Sequence, residues 1–196
     1  MLKTVLKHWL LAALIVTALS GLIYVVAQQG LRQGANDPQI QLAEDTANRL
    51  AQGQTAQQVI PTEKVDIAHS LATYLIVYDR DGKAVASSAQ LNGKIPTVPS
   101  GIIANAHLNG EDRITWQPQP GVRSAIVVVP IQGGNQGFVL AGRSLREVEM
   151  RTENLFQLTL LSWGGTLLIT LIACVLLFWR RPLRITHHSN KQQVAA

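Results

Sequence analysis

One cysteine, few aromatic residues (5%) and two long stretches without any charge set the limits for this 196-residue chain. A lone cysteine, Cys174, excludes a disulfide within the chain and any cysteine-based zinc site. Gly133-Gly134 has neither the glycine spacing nor the lysine of a phosphate loop. The five histidines (His8, His69, His107, His187 and His188) are scattered, and the adjacent pair near the C-terminus is too short a motif to hold a metal. No metal site and no cofactor is expected.

Asp, Glu, Lys and Arg are all missing from Trp9–Leu31 and again from Asn154–Trp179. Each run exceeds the roughly 20 residues that carry a helix across a ~30 Å hydrocarbon core, where only a helix satisfies its own backbone. The expected plan is a short N-terminal tail (1–8), a first span (9–31), a central domain (32–153), a second span (154–179) and a basic tail (180–196). A signal peptide cleaved after Val25-Val26-Ala27 is the competing reading of the first run. Its apolar length, beyond the 7–15 residues usual for signal peptides, favours a retained anchor.

Acidic residues are absent from both tails, and all 12 lie in the central region. Lys3, Lys7, Arg180, Arg181, Arg184 and Lys191 therefore carry the basic excess. The positive-inside rule places both tails in the cytoplasm and the central domain outside. Trp9, Trp179 and Tyr24 fit the aromatic belts of the two interfaces. The high pI is thus a topology signal, and the nearly neutral central region argues against nucleic acid as a partner.

What is present in the centre reads as an α+β domain. Asp37-Pro38 opens a helix carried by Ile40, Ala43, Ala47 and Leu50 and closed by Gly53, with a kink expected near Gly30 and Gly34. Thr73–Asp79 is a strand, Arg80-Asp-Gly-Lys83 a hairpin turn, and Ala84–Ser88 the return strand. A short helix is expected over Ser100–His107. Strands follow over Asp112–Gln117, Val122–Ile131 and Gly137–Arg143. The expected product is a five-stranded antiparallel sheet with helices on one face and loops on the other. Ser144-Leu145-Arg146-Glu147 has the form of a capping box opening an exit helix. Leu145, Val148, Thr152 and Leu155 form its relay stripe. Thr159, Ser162, Thr166, Ile169, Ala173 and Leu176 carry the same phase into the second span. Small and hydroxylated residues in that seam favour self-association.

Three segments bear a family resemblance: the Asp37–Leu50 helix, Tyr74-Leu-Ile-Val-Tyr-Asp-Arg-Asp-Gly-Lys83, and Gly137-Phe-Val-Leu-Ala-Gly-Arg-Ser-Leu-Arg-Glu-Val-Glu149. Together they resemble the extracytoplasmic PAS-like or Cache-type sensory domains of two-span bacterial sensor histidine kinases. Arg181-Pro-Leu-Arg184 resembles the start of a HAMP linker, although no kinase, cyclase or methyl-accepting region follows. The resemblance implies a sensory module at the bacterial plasma membrane, working through a second copy of the chain or a separate membrane sensor kinase. A structural or accessory envelope protein is the alternative.

No catalytic constellation is expected. Glu147, Glu149 and Glu153 read as a solvated helix face with a Glu147–Arg151 pair. A small-molecule ligand would be met by Arg113 or Arg123 as the bidentate anion contact, with Trp116 or Tyr78 as an apolar wall.

Overall fold

The computed structural model describes residues 2–34, 37–133 and 137–179. The HAMP-like segment and the His187-His188 pair lie outside them. The chain divides into two compact units, Val25–Phe156 and a second formed by the terminal parts.

The larger unit is built on a five-stranded, wholly antiparallel sheet. Its strands are β2 (Tyr74–Tyr78), β3 (Ala84–Ser87), β5 (Asp112–Gln119), β6 (Val122–Pro130) and β7 (Phe138–Ser144), in the order β3-β2-β7-β6-β5. Two further two-residue strands, β1 (Val65–Asp66) and β4 (Ala89–Gln90), pair in parallel beside it. They were not expected, because two residues carry no readable periodicity. The same holds for the four-residue helix α3 (Ala56–Val59), which Thr55 and Gln58 open with a capping box.

Two apolar clusters, one on each sheet face, hold this unit together. Helix α2 (Asp37–Ala51) puts Ala43, Ala47 and Leu50 against Leu75, Val77, Val127, Val139 and Ala141. Alternate residues of the same strands, Tyr74, Ile76, Tyr78, Ile126, Val128 and Leu140, meet Ile102 and Ala106 of helix α4 (Ser100–Asn109). The expectation of helices on one face only is therefore corrected. Strand β2 is buried at all five positions, which is possible only when both faces are covered. Helix α4 runs two residues beyond its expected end. It stops where Gly110 adopts φ +83° and donates its N–H to Ala106 O.

The turn between β2 and β3 is held by Asp79, whose Oδ1 accepts from the N–H groups of Asp81 (3.0 Å) and Lys83 (2.8 Å). Gly142 shows the closest packing in the sheet. Tyr74 stands directly opposite it, and its ring occupies the space a Cβ would fill.

Helix α1 (Leu2–Gly34) runs through Gly30. Helix α5 (Arg146–Trp179) is continuous for 34 residues, about 51 Å at 1.5 Å per residue. Both are long and apolar enough to cross a membrane. In the terminal unit these helices touch. Trp9 Nε1 donates to Leu167 O (3.2 Å), and Trp163 Nε1 to Thr17 Oγ1 (3.0 Å). The α5 positions with reduced exposure here are Thr159, Trp163, Leu167, Thr170, Cys174 and Phe178. Ser162, Thr166, Ile169, Ala173 and Leu176, which share the expected seam with Thr159, are exposed.

Gly142→Ala drives a methyl group into the Tyr74 ring. It is expected to destabilise the folded chain by about 1–3 kcal/mol. Urea melts of the full chain in detergent measure this, and Gly142→Ala combined with Tyr74→Leu is expected to recover part of the loss.

Candidate functional site

Strand alternation decides which of the sequence-selected residues can meet. Along β5, Arg113 and Thr115 face one way, and Ile114 and Trp116 the other. On β6, Arg123 and Ala125 share the face of Arg113, to which the antiparallel register brings them close. Thr115 pairs with Ala125, and Arg113 with Val127. Arg113 and Arg123 accordingly line one cavity of about 430 Å³. Trp116 and Tyr78 do not join them. Both are buried in the cluster beneath α4, on the opposite face. The apolar part of the arginine cavity comes from Ile114, Ala125, Ile126, Leu145 and Val148 instead.

Three of the four relay residues, Leu145, Val148 and Thr152, line this cavity, and Leu155 is half-buried one turn further along α5. Four more lining residues were not anticipated: Gln28 and Arg32 from the end of α1, and Glu149 and Glu153 from α5. Gln28 and Arg32 are four apart, as are Glu149 and Glu153, so each pair occupies one helix face. That spacing was legible. What the spacing did not reveal is that these two faces border the same cavity.

The charges are set in a definite order. Arg123 Nη1 donates to Glu149 Oε1, joining the first residues of β6 to the first turn of α5. The Leu145 N–H donates to Arg123 O at 2.9 Å, so backbone and side chain of one residue both hold the helix. Arg113 Nη2 pairs with Glu111 at 2.9 Å. Arg146 Nη2 donates to His69 O (2.7 Å), and Arg143 Nε reaches Leu71 O (3.4 Å), which ties the segment after β1 to the same junction. Asp66 braces that segment. It accepts from the Ala68 N–H (3.0 Å) and contacts His69 Nδ1 (2.8 Å), and these contacts hold its carboxyl below the usual range.

The expected capping box is replaced by a simpler cap. Ser144 ends β7, and its Oγ accepts from the Arg146 N–H at 3.3 Å. Glu147 turns forward to Arg151, with contacts of 2.9 and 2.6 Å, as the i,i+4 spacing predicts.

A larger groove of about 750 Å³ lies between α4 and the strand turns, lined by Arg80, Val98, Ile103, His107 and Phe138. None of its lining residues belongs to α5. Beneath the sheet, the hydroxyls of Tyr74, Tyr78 and Ser124 are buried without a well-formed hydrogen bond among the described residues. Burial pushes the Tyr74 phenol up to about 12, and the nearby Ser124 hydroxyl acts in the opposite direction. Burial also raises Tyr78, and its proximity to Tyr74 raises it further. No group of His, Cys, Asp and Glu suited to a metal occurs among the described residues.

No protein-family model matches this chain, and no curated protein matches it either.

The two raised phenols set an alkaline limit on stability. The unfolded chain releases both protons near pH 10, while the folded chain retains them. Stability is therefore full below about pH 10 and falls as pH climbs toward 12 and beyond. Melts between pH 8 and 12 are expected to show this decline, and it should be shallower in Tyr78→Phe.

Proposed function

We propose that the chain is a membrane-anchored extracytoplasmic sensory module of the PAS-like or Cache type, working as a ligand receptor without catalysis of its own. α1 and α5 are the two spans, both tails are cytoplasmic, and the central domain lies outside the plasma membrane of a bacterium. A small anionic molecule is read by the arginine cavity. Its occupancy biases the position of α5, and that bias is passed to a second copy of the chain or to a separate membrane kinase.

One observation carries this reading. The cavity lined by Arg113 and Arg123 is also lined by Leu145, Val148, Glu149 and Thr152, in the opening turns of the helix that continues into the second apolar run. Binding there necessarily touches the element that would carry the signal. A ligand shifts such an equilibrium only by its differential affinity for the two arrangements. Arg123 supplies the means for a differential, because it is shared between the cavity and Glu149.

Thermal melts of the full chain in detergent, run against a panel of small carboxylates and other anions, test the reading. A ligand at a hundred times its dissociation constant raises stability by about 2.7 kcal/mol. Arg123→Ala is expected to abolish that shift. It should move the unliganded melt little, since exposed ion pairs contribute about 0.2–1 kcal/mol. Cysteines introduced in place of Gln90 and Asn190 report the topology: the first should be labelled from outside intact cells and the second should not. Labelling at position 190, or a panel without any Arg123-dependent shift, contradicts the proposal.

A further inference from the structure

The arginine cavity is lined by Arg32, Arg113 and Arg123 and by the carboxylates of Glu149 and Glu153, and Arg113 is also paired with Glu111 through Nη2 at 2.9 Å. Arg123 meets Glu149 through Nη1 alone, a one-pronged contact for a group whose planar fork suits two parallel bonds. Its side chain is 45% exposed and that of Arg113 is 49% exposed, so both can be reached from solvent. A carboxylate offers two oxygens and satisfies one fork. Three guanidinium groups around one cavity, with the Gln28 amide beside them, suit an anion with three or more acceptor oxygens. Position adds to this. Arg32 directly follows the apolar run that ends at Leu31, and Glu153 directly precedes the one that begins at Asn154. If these runs span the bilayer, the cavity lies at the depth of lipid phosphates.

We infer that this cavity takes a phosphoryl group, and that the phosphoryl group and the exit helix compete for Arg123. The inference rests on the sensory reading of the same cavity and gives it a ligand chemistry and a switch. With Arg123 on Glu149, the opening of α5 is held to β6. With Arg123 on phosphate, Glu149 is released and that clasp is lost. The phosphate can come from a lipid headgroup or from solution.

The full chain in maltoside detergent, titrated with inorganic phosphate, tests the competition. Arg123→Ala should abolish binding. Glu149→Gln removes the competitor and should tighten binding about two- to fivefold, the range that an exposed ion pair supplies. Glu153→Gln, which lowers the local negative charge equally, should give a smaller gain. Hydrogen exchange over residues 145–152 should speed up with phosphate in the native chain, whereas in Glu149→Gln it should be fast already and insensitive to phosphate. Vesicles of digalactosyldiacylglycerol, with and without added phosphatidylglycerol, separate the sources. Faster exchange on adding phosphatidylglycerol alone assigns the lipid; faster exchange only with inorganic phosphate assigns the soluble ligand. Failure of phosphate to bind in either setting, or equal gains from Glu149→Gln and Glu153→Gln, overturns the inference. A carboxylate that binds through Arg123 where phosphate does not would overturn it while leaving the sensory reading in place.

Discussion

A single residue, Leu145, separates the end of the central strand from a 34-residue helix. β7 is the middle strand of five and is paired along its length with β2 and β6. Its direction is therefore fixed by the whole sheet. The helix that follows has no flexible linker in which to lose that direction. The Leu145 N–H bond to Arg123 O and the Ser144 cap on Arg146 fix the corner further. The proposed function depends on that junction, because Arg123 and the central strand both meet the opening of the helix there.

The strengths of the contacts differ in a useful way. The sheet is closed by two apolar clusters whose members are almost all under a tenth exposed, and each large side chain buried there contributes about 1.5–3 kcal/mol. The contacts that clasp the opening of α5 are polar and partly exposed. The Arg123–Glu149 pair is 45% and 46% exposed, and such pairs contribute only about 0.2–1 kcal/mol. A rigid sheet joined to a lightly held helix opening is an arrangement in which modest binding energy can change the second without disturbing the first. Within the terminal unit, indole hydrogen bonds between α1 and α5 add a further constraint, since Trp163 and Trp9 are both committed to the neighbouring helix.

Periodicity made much of this legible from the sequence. The two charge-free runs, the five principal strands, α2, α4 and the uninterrupted α5 all followed from patterns of two, 3.6 or length alone. Arg113 and Arg123, offered by the sequence as alternative anion contacts, line the same cavity, because both lie on the polar phase of adjacent strands. Trp116 and Tyr78 were misplaced beside them. The same alternation that exposes Arg113 turns Trp116 inward, and an aromatic near an arginine in sequence is not near it across a sheet. α4 on the second face was not foreseen, because a ten-residue helix shows no preference for a face until its strands are ordered. The contact between Arg123 and Glu149 spans 26 residues and leaves no local trace. Trp163 went unremarked for a related reason: an indole in the middle of an apolar run looks like lipid-facing bulk until its partner, Thr17, is known.

Arg123 is the residue through which the cavity would govern the orientation of the exit helix. Spin labels on cysteines replacing Gln117 on β5 and Met150 on α5, in a Cys174→Ser background, give the distance between the sheet edge and the helix directly. Arg123→Gln is predicted to shift or broaden that distance distribution relative to the chain with Arg123 intact. Superimposable distributions would show that the helix holds its place without Arg123, and would contradict the proposed coupling between cavity and helix.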